Sequence, residues 1–371
     1  MPETVTAMDA APVRVAFVSD SMPERNGVGA YYADLVDQLE NCAGCDFATV
    51  FVCPGGAARG GFHFPLPGDS TQQVFVPSPR EFSRIMKRLQ PQVIVVATPG
   101  PYGMLGVRWA RKLGVRLIVG FHTDYAGVTD LYGRSLLRVF SRGYFRVVDR
   151  LMFRYADHVL ANSVQMVELA ESMSARKVSR IGTLLPKPVL ETGPVPPRPK
   201  FQQVLFAGRL AMEKRLHTVL EAVEKLPDMQ FMIAGDGPLK NDVENAAARL
   251  ANLDYRGWLS RSELQVQMDA ADALVLPSEF ESFGNVALEA MGRGRIAVVT
   301  DTCGIVNWPG LAEQMVVFGL DTPLWQVLED IGSWPDSRRI ALADGARRVA
   351  LELNRTSLAQ WQRLLQPGQN D

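Results

Sequence analysis

At 371 residues, 47% of them hydrophobic and 21% charged, the chain has the composition of a folded globular protein and is too long for one ordinary α/β core. A formal net charge of -1 excludes a bulk electrostatic pull toward nucleic acid, so an anionic partner must be met by a local patch. No run of 18 apolar residues is present, and Met1 to Pro12 lacks the basic-then-apolar order of a secretory leader, so a cytoplasmic protein is expected.

The first predicted strand is the β-branched run Val13 to Ser19, followed by a Gly-rich loop, Asn26 to Gly29, and a helical pattern from Tyr31 to Leu39. Cys42 and Cys45 form a C-x-x-C, with Cys53 and Cys303 the other cysteines. No second pair or histidine cluster stands nearby, so no metal is expected. The alternation continues with a strand at Val93 to Ala97, a helix around Met104 to Leu113, a strand at Val115 to Phe121, a long helical stretch and a strand at Val159 to Ala161. Strands alternating with helices predict a parallel sheet covered on both faces. The six prolines between Pro186 and Pro199 predict an extended linker without helix and a domain boundary.

Beyond the linker the alternation restarts: strand Gln203 to Ala207, helix His217 to Leu226, strand Gln230 to Ala234, helix Leu239 to Leu250, strand Leu274 to Pro277, helix Val286 to Met291 and strand Ile296 to Thr300. The closing stretch, Arg338 to Leu365, reads as one or two amphipathic helices. The expected fold is α/β, with two doubly wound Rossmann-like domains facing a cleft. Residues 1–190 form the first domain and 191–337 the second, and 338–371 pack back on the first.

In such folds ligands bind beyond the carboxyl ends of the strands. After Ala207 come Arg209 and Lys214, a planar fork of donors and a compact charge that together match a diphosphate, although alone they read equally as solvated loop charges. Gly235-Asp236-Gly237-Pro238 follows the next strand as a turn that admits close backbone approach. Pro277 to Asn285 leads into a helix holding Glu289, where unpaired amides suit an anion and Gly284 lets it approach the main chain. Glu281 and Glu289 are eight positions apart, up to about 12 Å at helical rise, beyond the roughly 5 to 9.5 Å of a hydrolase pair. They suit the two ends of one extended, hydroxyl-bearing ligand better, or else are surface glutamates flanking a helix.

Taken in order, Gly208 to Lys214, Ala234 to Pro238 and Leu276 to Ala290 are similar to the motifs of family 4 retaining glycosyltransferases, closely from about Gln203 to Thr300 and more loosely before. The resemblance implies the GT-B architecture and a metal-independent transfer from a nucleotide-diphosphate sugar, UDP- or GDP-linked, with no cofactor. It implies that Arg209 and Lys214 grip the diphosphate and that Glu281 binds donor-sugar hydroxyls beside the amides of Phe283 and Gly284, at the helix start with Asn285. Glu289 would hold the ribose, with the base near Gly235, Asp236, Gly257 and Trp258 in the turn from Tyr255 to Trp258. In the first domain, Gly27, Val28 and Gly29 resemble the phosphate-facing loop and His122 the histidine beside the donor sugar. His122, Glu281, Arg209 and Lys214 are thus the expected catalytic set. Asp124 either orients the imidazole, meets the acceptor or forms an Asx turn, with Tyr125 beside it. The chain departs from the family after Thr300, where Asp301 to Trp308 keeps only Gly304 of the usual pattern.

Arg134, Arg138, Arg142, Arg146, Arg150 and Arg154 recur at every fourth position among apolar residues. They predict either a basic helix resting on an anionic bilayer or a half-buried helix with a solvated face. With His122 to Tyr125, this stretch resembles family members that glycosylate diacylglycerol or another lipid, which implies a peripheral position on the inner face of the membrane. A soluble acceptor, a nucleotide-sugar epimerase and a non-catalytic nucleotide-sugar-binding protein of the same fold are the alternatives.

Overall fold

Short runs rich in Val, Ile, Leu and Phe, buried on both faces, form the strands of two six-stranded parallel sheets in the computed structural model. It describes residues 11–23, 27–42, 46–55, 62–66, 69–128, 136–196, 198 and 200–366. The first sheet holds β1 (Val13–Val18), β2 (Phe47–Val52), β5 (Val93–Val96), β6 (Arg116–Phe121), β7 (His158–Ala161) and β8 (Val178–Arg180) in the order β2-β1-β5-β6-β7-β8. An antiparallel hairpin, β3 (Phe62–Leu66) and β4 (Asp69–Val76), stands apart from it. The helices of this half are α1 (Gly27–Glu40), α2 (Pro79–Leu89), α3 (Pro101–Leu113), α4 (Tyr125–Val128), α5 (Leu136–Tyr155) and α6 (Val164–Ser172), and α7 (Lys187–Glu191) follows them.

The second sheet takes β9 (Gln203–Ala207), β10 (Gln230–Ala234), β11 (Leu253–Gly257), β12 (Ala273–Leu276), β13 (Ile296–Thr300) and β14 (Val316–Phe318) in the order β11-β10-β9-β12-β13-β14. Its helices are α8 (Leu216–Lys225), α9 (Lys240–Arg249), α10 (Arg261–Ala270), α11 (Asn285–Gly292), α12 (Leu324–Ser333) and the 30-residue α13 (Asp336–Leu365). Each sheet reverses its winding once, between β1 and β5 and between β9 and β12. At such switch points neighbouring loops diverge and leave a crevice. The loops carrying Arg209 and Glu281 flank the second of them.

Three expectations need correction. Lys187–Glu191 is helical inside the stretch predicted to be extended, because Pro188 sits in the first turn, where no amide partner is needed. Gly27, Val28 and Gly29 are the first turn of α1 and not a loop. Tyr255, Arg256 and Gly257 belong to β11, paired with β10, so only Trp258 lies beyond the strand.

The helix α13, about 45 Å long at 1.5 Å per residue, crosses both halves. Ala346 and Ala350 join the core beneath α11, whereas Trp361 and Leu365 join Tyr31, Tyr32 and Leu35 against the first sheet. Midway, Asn354 accepts from the Leu185 amide at 2.8 Å and exchanges hydrogen bonds with Gln38 at 3.0 and 3.2 Å. Trp361 is fully buried and its Nε1 donates to the Tyr31 hydroxyl at 2.6 Å. Trp361→Ala should cost about 3–5 kcal/mol, read by denaturant unfolding, and should expose the end of α13 to protease. A loss below 1 kcal/mol would remove α13 as the tie between the halves.

Candidate active site

The loop after β9 turns back through a short 3-10 helix, Met212–Lys214, and delivers Lys214 to Glu281 in the loop after β12, where the two form a close ion pair. Both side chains are largely shielded. Burial acts to lower the Lys214 pKa, but Glu281 outweighs it and the net shift is upward, so Lys214 is a cation throughout the neutral range. Arg209 lies one turn away with its Nη1 3.3 Å from Glu213, whose carbonyl accepts from the Glu279 amide at 2.8 Å. The two loops are thus stitched together by main chain as well as by charge.

Gly284 caps the start of α11 at φ +107°, a conformation that residues with a Cβ rarely adopt. Phe283 is buried, packing edge-on to Trp308 at 6.0 Å, so its ring is withdrawn from the cleft. The atypical Asp301 to Trp308 stretch supports this loop from beneath. Gly304 and Ile305 donate their amides to the carbonyls of Glu281 and Phe283, each at 2.8 Å. A Cβ on Gly304 would sit 1.9 Å from the Ser282 carbonyl oxygen, which explains why that one position keeps glycine.

On the neighbouring strands, the Gly235 amide donates to the Gly257 carbonyl at 2.7 Å, and the Asp236 carbonyl accepts from Leu210 at 3.0 Å. Trp258 projects outward, half exposed. From the first half, His122 follows β6 and is buried, its Nε2 2.8 Å from the Tyr32 hydroxyl. Burial lowers its pKa to about 4, so the ring is neutral at pH 7. Asp124 turns away from the imidazole and pairs with Arg146 at 3.3 Å. Arg142 is exposed on α5. Asn26 and Arg134 lie outside the described residues, as do the side chains of Tyr125 and Arg138.

The halves meet at this site. Asn285 donates to the Gly27 carbonyl at 3.2 Å, and the Trp308 indole donates to the Asn162 carbonyl at 2.9 Å. Arg261, not singled out from sequence, makes a forked contact with Asp34 of α1 at 2.7 and 2.6 Å and stands 3.8 Å from Glu289. Burial pushes the Glu289 carboxyl up to about 7, with Arg261 opposing. The available signal was the capping box Ser260 to Glu263, which starts α10 and fixes the position of Arg261. Asp20 was also missed. Its carboxylate accepts from the amides of Gly100, Tyr102 and Gly103 and from the Thr98 hydroxyl, so it fills the N-terminus of α3 and closes that end to a ligand.

Two family models match the chain. Glycosyltransferase Family 4 matches residues 25–183, and Glycosyl transferases group 1 matches residues 194–309. The chain is similar to the sulfoquinovosyl transferase SQD2 of Arabidopsis thaliana, 28% identical over 244 residues, which are 62% of this chain and 46% of that protein. It is also similar to the GDP-mannose-dependent alpha-mannosyltransferase of Mycolicibacterium smegmatis, 30% identical over 240 residues, 62% of this chain and 60% of that one. The matches therefore span about half the length of these relatives. Among solved structures, sucrose-phosphate synthase of Thermosynechococcus elongatus aligns with a TM-score of 0.73 over 96% of this chain and 98% of its own, at 16% identity. That likeness establishes the expected two-sheet GT-B fold.

Two outcomes follow from the site's electrostatics. Lys214→Ala leaves Glu281 shielded without its cation and should cost about 3 kcal/mol in denaturant unfolding, whereas a change within 0.5 kcal/mol would mean the pair contributes nothing. For His122, the folded pKa lies below the unfolded value of about 6.5. Neutral-ring stability is therefore complete above pH 6.5 and lost as pH falls toward 4. An NMR titration should find the ring still neutral at about pH 5; a midpoint near 6.5 would contradict the burial argument.

Proposed function

We propose, from the premise that this chain belongs to the family 4 and group 1 glycosyltransferases, that it moves a sugar from a nucleotide-diphosphate sugar to an acceptor hydroxyl, with retention and without a metal. The observation that carries this reading is the convergence of Arg209, Lys214, Glu281 and the start of α11 at the switch point between β9 and β12. Two cations and a row of unpaired helix amides meet the charge that grows on a departing diphosphate, which is the largest single contribution such a site can make. As donor enters, the diphosphate takes Lys214 and the sugar hydroxyls take Glu281, so each of these shielded charges exchanges one partner for another. Ribose hydroxyls engage Glu289, whose contact with Arg261 is the long one. The base lies toward Gly235, Asp236, Gly257 and Trp258, and the first-turn amides of Gly27, Val28 and Gly29 face the phosphates with Asn285 beside them. His122, neutral, stands beside the donor sugar as a hydrogen-bonding group. The acceptor proton leaves with the departing phosphate on the same face. In this division of labour residues 1–190 present the acceptor, 191–337 hold the donor, and 338–371 tie the two.

The acceptor we infer is a membrane lipid. On α5, Tyr144, Val147 and Leu151 form an exposed apolar stripe, with Arg142, Arg150 and Arg154 exposed around it, whereas Arg146 turns inward to Asp124. This combination suits the surface of an anionic bilayer on its cytoplasmic side. Among the described residues no helix is long and apolar enough to cross a membrane.

Thermal stabilisation by UDP-, GDP- and ADP-sugars, followed by product analysis, tests the transfer. One donor should raise the melting temperature, Lys214→Ala and Glu281→Ala should abolish that rise, and sugar should appear on lipid. No stabilisation by any nucleotide sugar would sink the donor site. For the membrane, Val147→Asp with Leu151→Asp should reduce sedimentation with anionic vesicles about tenfold or more while leaving donor stabilisation intact. Transfer to a soluble acceptor, with no vesicle binding, would refute the lipid assignment and leave the transfer standing.

A further inference from the structure

The wall around His122 contains a carboxylate to which the transfer reading gives no task. Asp149, on α5, is 3% exposed, and among the described residues its Oδ2 has no hydrogen-bond partner. Together with His122, Thr123, Gly120 and Val28 it lines a cavity of about 10 Å³, room for roughly one water or hydroxyl oxygen. The adjoining Asp124 spends Oδ2 on Arg146 at 3.3 Å, and its Oδ1 is likewise buried without a partner among the described residues. Burial, reinforced by Asp124 and opposed by Arg146, pushes the Asp149 carboxyl up to about 7. A buried polar group left unsatisfied costs about 1–3 kcal/mol. Leucine, with the same branched outline and a larger volume, would fill the wall and the small cavity beside it without that cost.

Resting on the transfer reading, we infer that Asp149 and Asp124 form the acceptor subsite and take a neutral, hydroxyl-bearing group, with Asp149 hydrogen-bonding one acceptor hydroxyl in the cavity beside His122. Three features select that chemistry. The space admits a single hydroxyl. A hydroxyl both donates and accepts, so it pairs with Asp149 whether the side chain is ionised or protonated. Two acids facing the one guanidinium of Arg146 repel a phosphate or carboxylate on the acceptor at this point. Asp149 is then a specificity-determining residue.

The test compares wild type, Asp149→Asn and Asp149→Leu, with glycerol, myo-inositol and dioleoylglycerol in phosphatidylcholine vesicles as acceptors and glycerol 3-phosphate as the anionic counterpart. Asp149→Asn should raise the acceptor KM up to about tenfold, as expected when a charge-assisted hydrogen bond is replaced by a neutral one, while donor-induced thermal stabilisation stays at the wild-type value. Asp149→Leu should melt at or above the wild-type temperature and transfer nothing, since a residue kept for binding is dispensable for stability. Dependence on Asp149 with dioleoylglycerol alone assigns the hydroxyl to a lipid, and dependence with the free polyols alone assigns it to a soluble acceptor; both support the subsite. An unchanged acceptor KM in the variants overturns it, as does preference for glycerol 3-phosphate, absence of transfer to every neutral hydroxyl, or a joint fall of melting temperature and donor binding. Wild-type protein that no nucleotide sugar stabilises would instead sink the transfer reading itself, and this inference with it.

Discussion

Arg261 reaches from the first turn of α10, in the second half of the chain, to Asp34 on α1, in the first half, with paired hydrogen bonds of 2.7 and 2.6 Å. A planar fork on a carboxylate fixes orientation as well as distance, so this contact sets how the two sheets face each other. It also leaves Arg261 within 3.8 Å of Glu289. The same guanidinium thus holds the halves together and faces the carboxylate of Glu289. Around it the seam is closed by polar contacts of main chain and side chain, Asn285 to Gly27 and Trp308 to Asn162, with Arg180 lying 4.4 Å over the Trp308 ring.

The passage between the halves obeys a related constraint. A Pro-rich segment brings carbonyls but few amides, so its acceptors need donors from elsewhere. Two nearly fully buried arginines supply them. Arg293 is held by both oxygens of Asp269 at 2.7 and 2.9 Å and donates to the Thr192 carbonyl at 3.0 Å, and Arg295 donates to the carbonyls of Ala271 and Val195. The start of the connection is therefore fastened to the second sheet, and α13 supplies a second link beside it, where Arg347 donates to the carbonyls of Gly292 and Thr192.

Charge at this site is arranged in pairs that a ligand can replace. Lys214 with Glu281, Arg209 with Glu213 and Arg261 with Glu289 each join a cation to a carboxylate near strand ends. In the proposed transfer a diphosphate sugar would bring both an anion for the cations and hydroxyls for the carboxylates, so its arrival would exchange partners without leaving a charge bare. Asp149 differs from these pairs: among the described residues its Oδ2 accepts no hydrogen bond, and the cation acting on it, Arg146, is paired to Asp124.

Local pattern was enough to read the alternation of Val-rich strands with amphipathic helices, the loops after Ala207 and Leu276, and His122 at the end of β6, because each depends on neighbours within a few residues. The helix at Lys187–Glu191 and the strand pairing of Tyr255 to Gly257 escaped it: proline in a first turn is permitted, not required, and strand pairing is a long-range choice. Contacts over long sequence separations carried no signal at all. Arg261 meets Asp34 across 227 positions and Trp361 meets Tyr31 across 330. By itself, then, the sequence determined two doubly wound α/β units and the residue types that gather at their strand ends. Only the tertiary structure decided which charges pair, which helix face is buried and which carboxylate is left unpartnered, because burial and partnership are properties of the packed chain and not of any segment of it.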